Sequence, residues 1–362
     1  MSDAAAAQLR LIRTPSIGPV AYRHLIARFG SAAAALEALP SLARRGGGVP
    51  PVPPPAAAIE RERERTAKLG ARYLFLDDPD YPPLLAQLDN APAALVWRGD
   101  LTLAMRPCVA IVGARNASAA ACRFARQLGA ELALEGATVV SGLARGIDTA
   151  AHHGSIGGGT IGVIASGIDV VFPPENAALQ EEVATRGLLL AEQPPGTEPR
   201  ARHFPLRNRI IAGLATGTVV VEAAPKSGSL ITARLAAEAG REVMAVPGSP
   251  LDPRAQGCNL LIREGATLIQ NAADVMELIR PIDPRAVRAP GIGYAAPPPE
   301  DPDDAARARI AALLGPVAVP VDELIRQSGA APAAVQMVLL ELELAGRLMR
   351  HAGGRVSLDQ PA

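Results

Sequence analysis

The segment that decides the fold is CVAIVGARNAS (Cys108–Ser118), which runs through a helical span into VVSGLARGID (Val139–Asp148). Cys108 to Val112 is a short apolar run with β-branched members, closed by Gly113. A helical pattern follows from about Ala117 to Glu135. Ala137 to Val140 is a second apolar run, closed by Ser141-Gly142. Strand, tight glycine turn, helix, strand, glycine turn is the signature of a parallel α/β sheet. Ligands of such sheets sit at the carboxyl ends of the strands, beside helix N-termini that attract anions. Both turns carry a cation, Arg115 after the first strand and Arg145 after the second, so the pattern predicts a phosphate-binding rim. The competing reading is that the glycines only make turns and the arginines are only solvated, because a short glycine turn is weak evidence by itself.

Working outward, the same rhythm predicts strands at 108–112, 137–140, 160–165, 187–191, 217–222 and 242–246, with a short one near 267–269. Crossovers of this length favour parallel pairing with right-handed connections. Tyr73–Leu76 and Leu95–Trp97 read as strands that extend the sheet at one edge. One doubly wound domain over 70–282 accounts for these pieces. Residues 283–302 are rich in proline and glycine and read as a linker. Beyond it, Ala305–Leu314, Val321–Gln327 and Ala331–Leu344 read as three helices, and Leu348–Arg350 with Val356–Leu358 as a hairpin. Three helices and a hairpin make a winged helix over 303–362. That module often binds DNA. Here its third helix has no lysine or arginine, and the basic residues are Arg347, Arg350, His351 and Arg355 at the hairpin. The reading therefore favours protein contact. Residues 1–69 form a helical module that includes a helix, an Ile17-Gly18 turn and a second helix, followed by GGGVPPVPPP (46–55) as a boundary loop. Such a turn either grips a DNA backbone or simply packs the helices.

The totals narrow the function. Across 362 residues, Lys+Arg and Asp+Glu both number 36, so nucleic-acid binding requires a local basic patch and not bulk charge. Three cysteines, Cys108, Cys122 and Cys258, lack metal spacing and fit a reducing cytoplasm. No apolar run reaches the roughly 18 residues needed to span a bilayer, so a soluble, cytoplasmic protein without a membrane partner is expected. No metal and no cofactor are expected either.

Two further stretches carry chemistry. Arg200 to Ile211 (RARHFPLRNRII) places four arginines and a histidine within ten residues. Pro205 suits a first helical turn, which puts Arg207, Asn208 and Arg209 near a helix start and Phe204 just before it, exposed. Cations for phosphates with an aromatic ring for a base is how single strands are held. The alternative makes Phe204 a hydrophobic staple and pairs the arginines with acids. The second stretch is Glu222–Ala233 (EAAPKSGSLITA), which follows a strand and opens a helix. Lys226 and the amides of Ser227 to Leu230 predict an anion nest, with a plain N-cap at Ser227 or Ser229 as the competing view. Asp148, His152 and His153 follow the second strand without a nucleophile or ligand set, so they read as structural and no catalytic residue is assigned.

Taken together, YPPLLAQLDNAPAALVWRGD, VAIVGARNAS, VVSGLARGIDTAAHHGS, FPLRNRIIAGL, VEAAPKSGSLITARLAAEAGREVMAVPGSP and GCNLLIREGATLI resemble the DNA processing protein A (DprA/Smf) family over about residues 72–276. The resemblance implies an extended Rossmann-like core, with an N-terminal sterile-alpha-motif-like (SAM-like) module and a C-terminal winged helix. It implies a homodimer that binds single-stranded DNA, protects incoming DNA and loads RecA in natural transformation and DNA recombination, with no catalytic activity as its role. It places Arg115, Phe204 as the stacking ring, Arg207 and Arg209, and Lys226, Ser227 and Gly228 at the DNA, and the two glycine turns and the basic stretch add Gly113, Ser141, Gly142, Arg145, Arg202 and Asn208 to the DNA-binding residues expected. Family members often have a basic residue three positions before the phenylalanine. Here that position is Ala201, flanked by Arg200 and Arg202. The second reading is a nucleotide-processing enzyme similar to the phosphoribohydrolases. Their glycine-rich loop supplies a glutamate, and the corresponding APKSGSLITA has none in register.

Overall fold

The computed structural model describes residues 3–279, 301–351 and 353–359. The chain divides into two compact units, 62–288 and the pair of segments 1–61 and 289–362. Its helices are α1 (Asp3–Ile12), α2 (Pro19–Phe29), α3 (Ala32–Arg45), α4 (Ala56–Lys68), α5 (Pro83–Ala86), α6 (Ala119–Leu134), α7 (Ile147–Ser155) and α8 (Ala177–Arg186). They continue with α9 (His203–Leu214), α10 (Gly228–Glu238), α11 (Gln256–Arg263), α12 (Ala272–Ile279), α13 (Asp304–Ala312), α14 (Val321–Ser328) and α15 (Pro332–Leu344).

The central unit is built on a nine-stranded sheet. Its strands are β1 (Arg72–Phe75), β2 (Ala94–Gly99), β3 (Cys108–Val112), β4 (Thr138–Ser141), β5 (Thr160–Gly167), β6 (Leu188–Gln193), β7 (Gly217–Val220), β8 (Glu242–Ala245) and β9 (Thr267–Leu268). Their order is β1-β2-β6-β5-β4-β3-β7-β8-β9. From β6 to β9 all pairs are parallel, and β1 and β2 are added antiparallel at one edge. The expected strands all form, with ends displaced by one or two residues, and the two upstream strands extend one edge as the sequence predicts.

Alternation along β3 explains why its whole run is apolar. Val109 and Ile111 pack with Leu128 and Leu132 of α6, while Cys108, Ala110 and Val112 pack with Ile210, Ile211 and Leu214 of α9. Successive side chains of a strand point to opposite faces, and a parallel sheet has helices on both. The strand order reverses between β3 and β7, and clefts open at the carboxyl ends of strands beside such a switch.

In the other unit α13, α14 and α15 join a three-stranded sheet of β10 (Val319–Pro320), β12 (Arg355–Leu358) and β11 (Leu348–His351), which is a winged helix. The two-residue β10 was not legible as a strand. Eight residues of α15 are buried, from Val335 to Leu344. The glycines of the expected boundary loop run against this helix. A Cβ on Gly46 would lie 2.0 Å from the Glu341 carbonyl oxygen, and one on Gly48 2.3 Å from that of Ala345. Glu341 is buried and receives two hydrogen bonds from Arg307, at 3.0 and 3.1 Å. The proline-rich segment 283–302 lies almost wholly outside the described residues. Among those residues no single helix is long and apolar enough to cross a membrane.

Candidate functional site

Three consecutive strand ends of the central sheet and the start of α9 enclose a cavity of about 410 Å³. The turn after β3 brings Arg115 and Asn116, the turn after β4 brings Gly142, Ala144 and Arg145, and the end of β5 brings Ile164 to Ser166. Phe172, Pro173, Pro174, Pro199, Phe204 and Arg207 complete its lining. Helices α7 and α9 begin beside it, and helix N-termini favour anions.

The wall carries an aromatic pair and a cation. The rings of Phe204 and Phe172 meet edge to face, with centroids 5.7 Å apart and planes at 63°. The Arg115 guanidinium lies over the Phe204 ring, 5.2 Å from its centroid. Arg115 itself is exposed. The ring therefore orients the cation without removing it from solvent.

Beneath the cavity lies a buried charged layer. Arg207 is 6% exposed and donates from Nη1 to the Val163 carbonyl at 3.2 Å. Its guanidinium occupies the space over Gly142, where a Cβ would fall 1.4 Å from Nη1. Here glycine is required by close approach. Burial lowers the Arg207 pKa to about 10, opposed by the attraction of Asp148, and Arg115 adds like-charge repulsion. Asp148, in the first turn of α7, accepts from the amides of Gly142 at 3.1 Å and Ala144 at 3.4 Å. Burial raises its pKa, against the pull of Arg207 and of those two amides. Asp148 thus holds the β4 turn in place. His152 is fully buried and bonds Thr160 through Nδ1 at 2.7 Å, the structural role expected of it.

The structure rearranges part of the expected site. Phe204 does not precede α9 but lies in its first turn, and it is half-buried. Arg209 is buried in an ion pair with Glu192 and is not a free cation, because the helix turns it towards β6. Arg145 is exposed and pairs with Glu175. Ser141 is buried and its hydroxyl donates to the Ile111 carbonyl at 2.6 Å, which welds β4 to β3. Gly113 leaves room for Ile147, whose side chain would approach a Cβ there to 2.6 Å. Arg202 is exposed at the N-cap position of α9.

The second nest is adjacent but separate. Ser227 caps α10 by accepting from the Ser229 amide, and Lys226 is exposed outside the cavity lining. Asn208 donates to the Gly228 carbonyl at 3.4 Å and so ties this turn to α9. The N-terminus of α6 is engaged differently. Glu222, at the end of β7, accepts from the Ser118 amide at 3.2 Å and its hydroxyl at 2.7 Å. A carboxylate of the chain therefore fills the place where dinucleotide-binding folds seat a pyrophosphate. Sequence reasoning missed Phe172 and Glu192, whose proximity to the site depends on β5 lying beside β4 and β6 beside β5.

Residues 72–280 match the family described as DNA recombination-mediator protein A, and residues 295–354 a DprA winged helix domain. Residues 2–64 match a DprA-like N-terminal HHH domain, in place of the expected SAM-like module. DNA processing protein DprA of Streptococcus pneumoniae (strain ATCC BAA-255 / R6) is 46% identical over 206 residues, 56% of this chain and 72% of that protein. Putative DNA processing protein DprA of Mycobacterium tuberculosis (strain ATCC 25618 / H37Rv) is 40% identical over 318 residues, 81% of each chain. The X-ray structure of DprA from Streptococcus pneumoniae superposes with a TM-score of 0.61 at 35% identity, over 76% of this chain and 94% of that one. A structure of DprA from Helicobacter pylori, which concerns its single-stranded DNA binding mode, gives 0.52 at 30% identity over 57% of this chain and 94% of that one. With the match to a single family running unbroken through every strand of the central sheet, this chain belongs to the DNA recombination-mediator protein A (DprA/Smf) family.

Proposed function

We propose that the cavity and the Lys226 turn form one single-stranded DNA interface. The observation that carries this reading is the Arg115–Phe204–Phe172 array at the mouth of a cavity floored by buried Arg207. Exposed cations take phosphates while rings take bases, a combination that holds single strands with little sequence preference. The name of the Helicobacter pylori structure supports the same ligand class. The protein then acts without catalysis: it protects incoming DNA and loads RecA during natural transformation, as a cytoplasmic homodimer. The sheet ends at β9, where Leu268 is 45% exposed, and a second copy would cover that edge. The placement of Glu222 at the α6 N-terminus argues against the nucleotide-processing alternative, since a phosphate there would meet a carboxylate.

Fluorescence anisotropy with labelled single-stranded and duplex oligonucleotides across a salt series tests the interface. Strong preference for the single strand, weakening with salt, is expected. Arg115→Ala or Lys226→Ala should lower the affinity and reduce the salt slope by about 0.7 per lost phosphate contact. Unchanged affinity in both variants would sink the assignment. Phe204→Ala should weaken binding by about 1–3 kcal/mol, and it also releases Arg115. Binding equal to wild type would make Phe204 a packing residue.

A further inference from the structure

Phe172 stands apart from every other aromatic side chain of the described residues. It is 42% exposed, whereas the others are buried or half-buried. A chain with 3% aromatic residues has placed one ring in solvent, next to its candidate interface. With Val171, 36% exposed, it forms an apolar spot on the rim of the cavity.

The loop that presents it is held at several points. Ser166 donates to the Val170 carbonyl at 2.8 Å, and the Val170 amide returns to Gly167 at 2.9 Å. Asn176 donates to the Leu143 carbonyl at 2.8 Å and to the Thr149 hydroxyl at 2.9 Å, which ties the far end of the loop to the β4 turn. The Asp169 carboxylate accepts from the Gly196 amide at 2.6 Å and pairs with Arg65. A ring on a loop fixed at these positions is preorganised, and preorganisation lowers the cost of binding.

The neighbouring ring is already engaged. Phe204 carries Arg115 over one face, meets Phe172 edge to face and is half-buried, so the more open aromatic surface of the cavity mouth belongs to Phe172. We propose that Phe172 is a second base-stacking platform, taking a nucleobase next to the one that Phe204 serves. The exposed cation beside it favours a nucleic-acid occupant over an apolar protein segment: Arg115 is exposed on the same rim and Arg207 lies below, while Arg145 on that rim is paired with Glu175. A base stacked on Phe172 directs its own phosphate towards that rim. This inference rests on the single-strand reading above.

The test uses the full chain with Phe172→Ala and Phe172→Trp, an oligothymidylate and an abasic oligonucleotide of equal length. Stacking contributes roughly 5- to 150-fold in affinity per base. Phe172→Ala is expected to weaken oligothymidylate binding within that range, leave abasic binding unchanged and preserve the salt slope. Phe172→Trp is expected to bind as well as wild type. Equal losses on both strands, or no loss on either while Arg115→Ala still weakens binding, would overturn the role of Phe172 and leave the interface standing. A wild-type protein that binds neither strand at low salt would overturn the interface and this inference with it.

Discussion

Replacing Asp148 by alanine is expected to destabilise the central unit by about 1–3 kcal/mol or more, the usual cost of leaving a buried donor without its acceptor. The cost has two sources. Arg207, 6% exposed, would keep its charge without the carboxylate that offsets its desolvation. The amides of Gly142 and Ala144 would lose their acceptor at the same time. Asp148→Asn keeps the shape and one acceptor oxygen and should cost less. Urea unfolding of the full-length variants, followed by far-ultraviolet circular dichroism, reads the difference. A change below about 1 kcal/mol for alanine would mean that the two charges are not coupled. The effect reaches the interface because the turn held by Asp148 also carries Arg145 and supports the seat of Arg207.

The second large effect is a loss of stability in mild acid. Burial is the main cause that holds the His152 pKa down at about 3, and the neighbouring His153 and Arg207 add to it. The folded protein therefore keeps this imidazole neutral, while the unfolded chain protonates it near pH 6.5. Between those two values the unfolded state binds more protons, so stability rises with pH there and falls on acidification. From pH 7 to pH 5 the loss from this one group is about 2 kcal/mol, at about 1.4 kcal/mol per unit below 6.5. His203 is also depressed by burial and contributes in the same direction. Comparing the pH dependence of unfolding in wild type and His152→Gln isolates the first group. A variant with the same slope as wild type between pH 5 and 7 would show that His152 titrates alike in both states.

The sheet was legible because its residues obey a local rule. Cys108 to Val112 is apolar at every position, and only a strand covered on both faces needs that. The glycine turns followed from the same pattern, and Arg115 and Phe204 stood out by residue type in a chain with few aromatics. What was not legible depends on distant parts of the chain meeting. Arg207 and Arg209 look alike in sequence, yet helical phase turns one over Gly142 and the other towards Glu192. Phe172 follows β5 by a few residues, and nothing local says that β5 lies two strands from the Arg115 turn. The absence of cations on α15 was readable. Its packing against Gly46 and Gly48 was not, because nearly the whole chain separates them.

That separation governs the order in which the molecule can be completed during synthesis. Arg347 donates to the Gly46 carbonyl across 301 positions of sequence. At the usual pace of translation, about 5–20 residues per second, the later partner emerges roughly 15 to 60 s after the earlier one. The central sheet, whose strands all lie between Arg72 and Leu268, is fully synthesised within that interval. The first segment made thus waits for the last, with its glycine-lined surface uncovered in the meantime. A ribosome that stops before Pro332 releases a finished sheet carrying an unfinished amino-terminal unit.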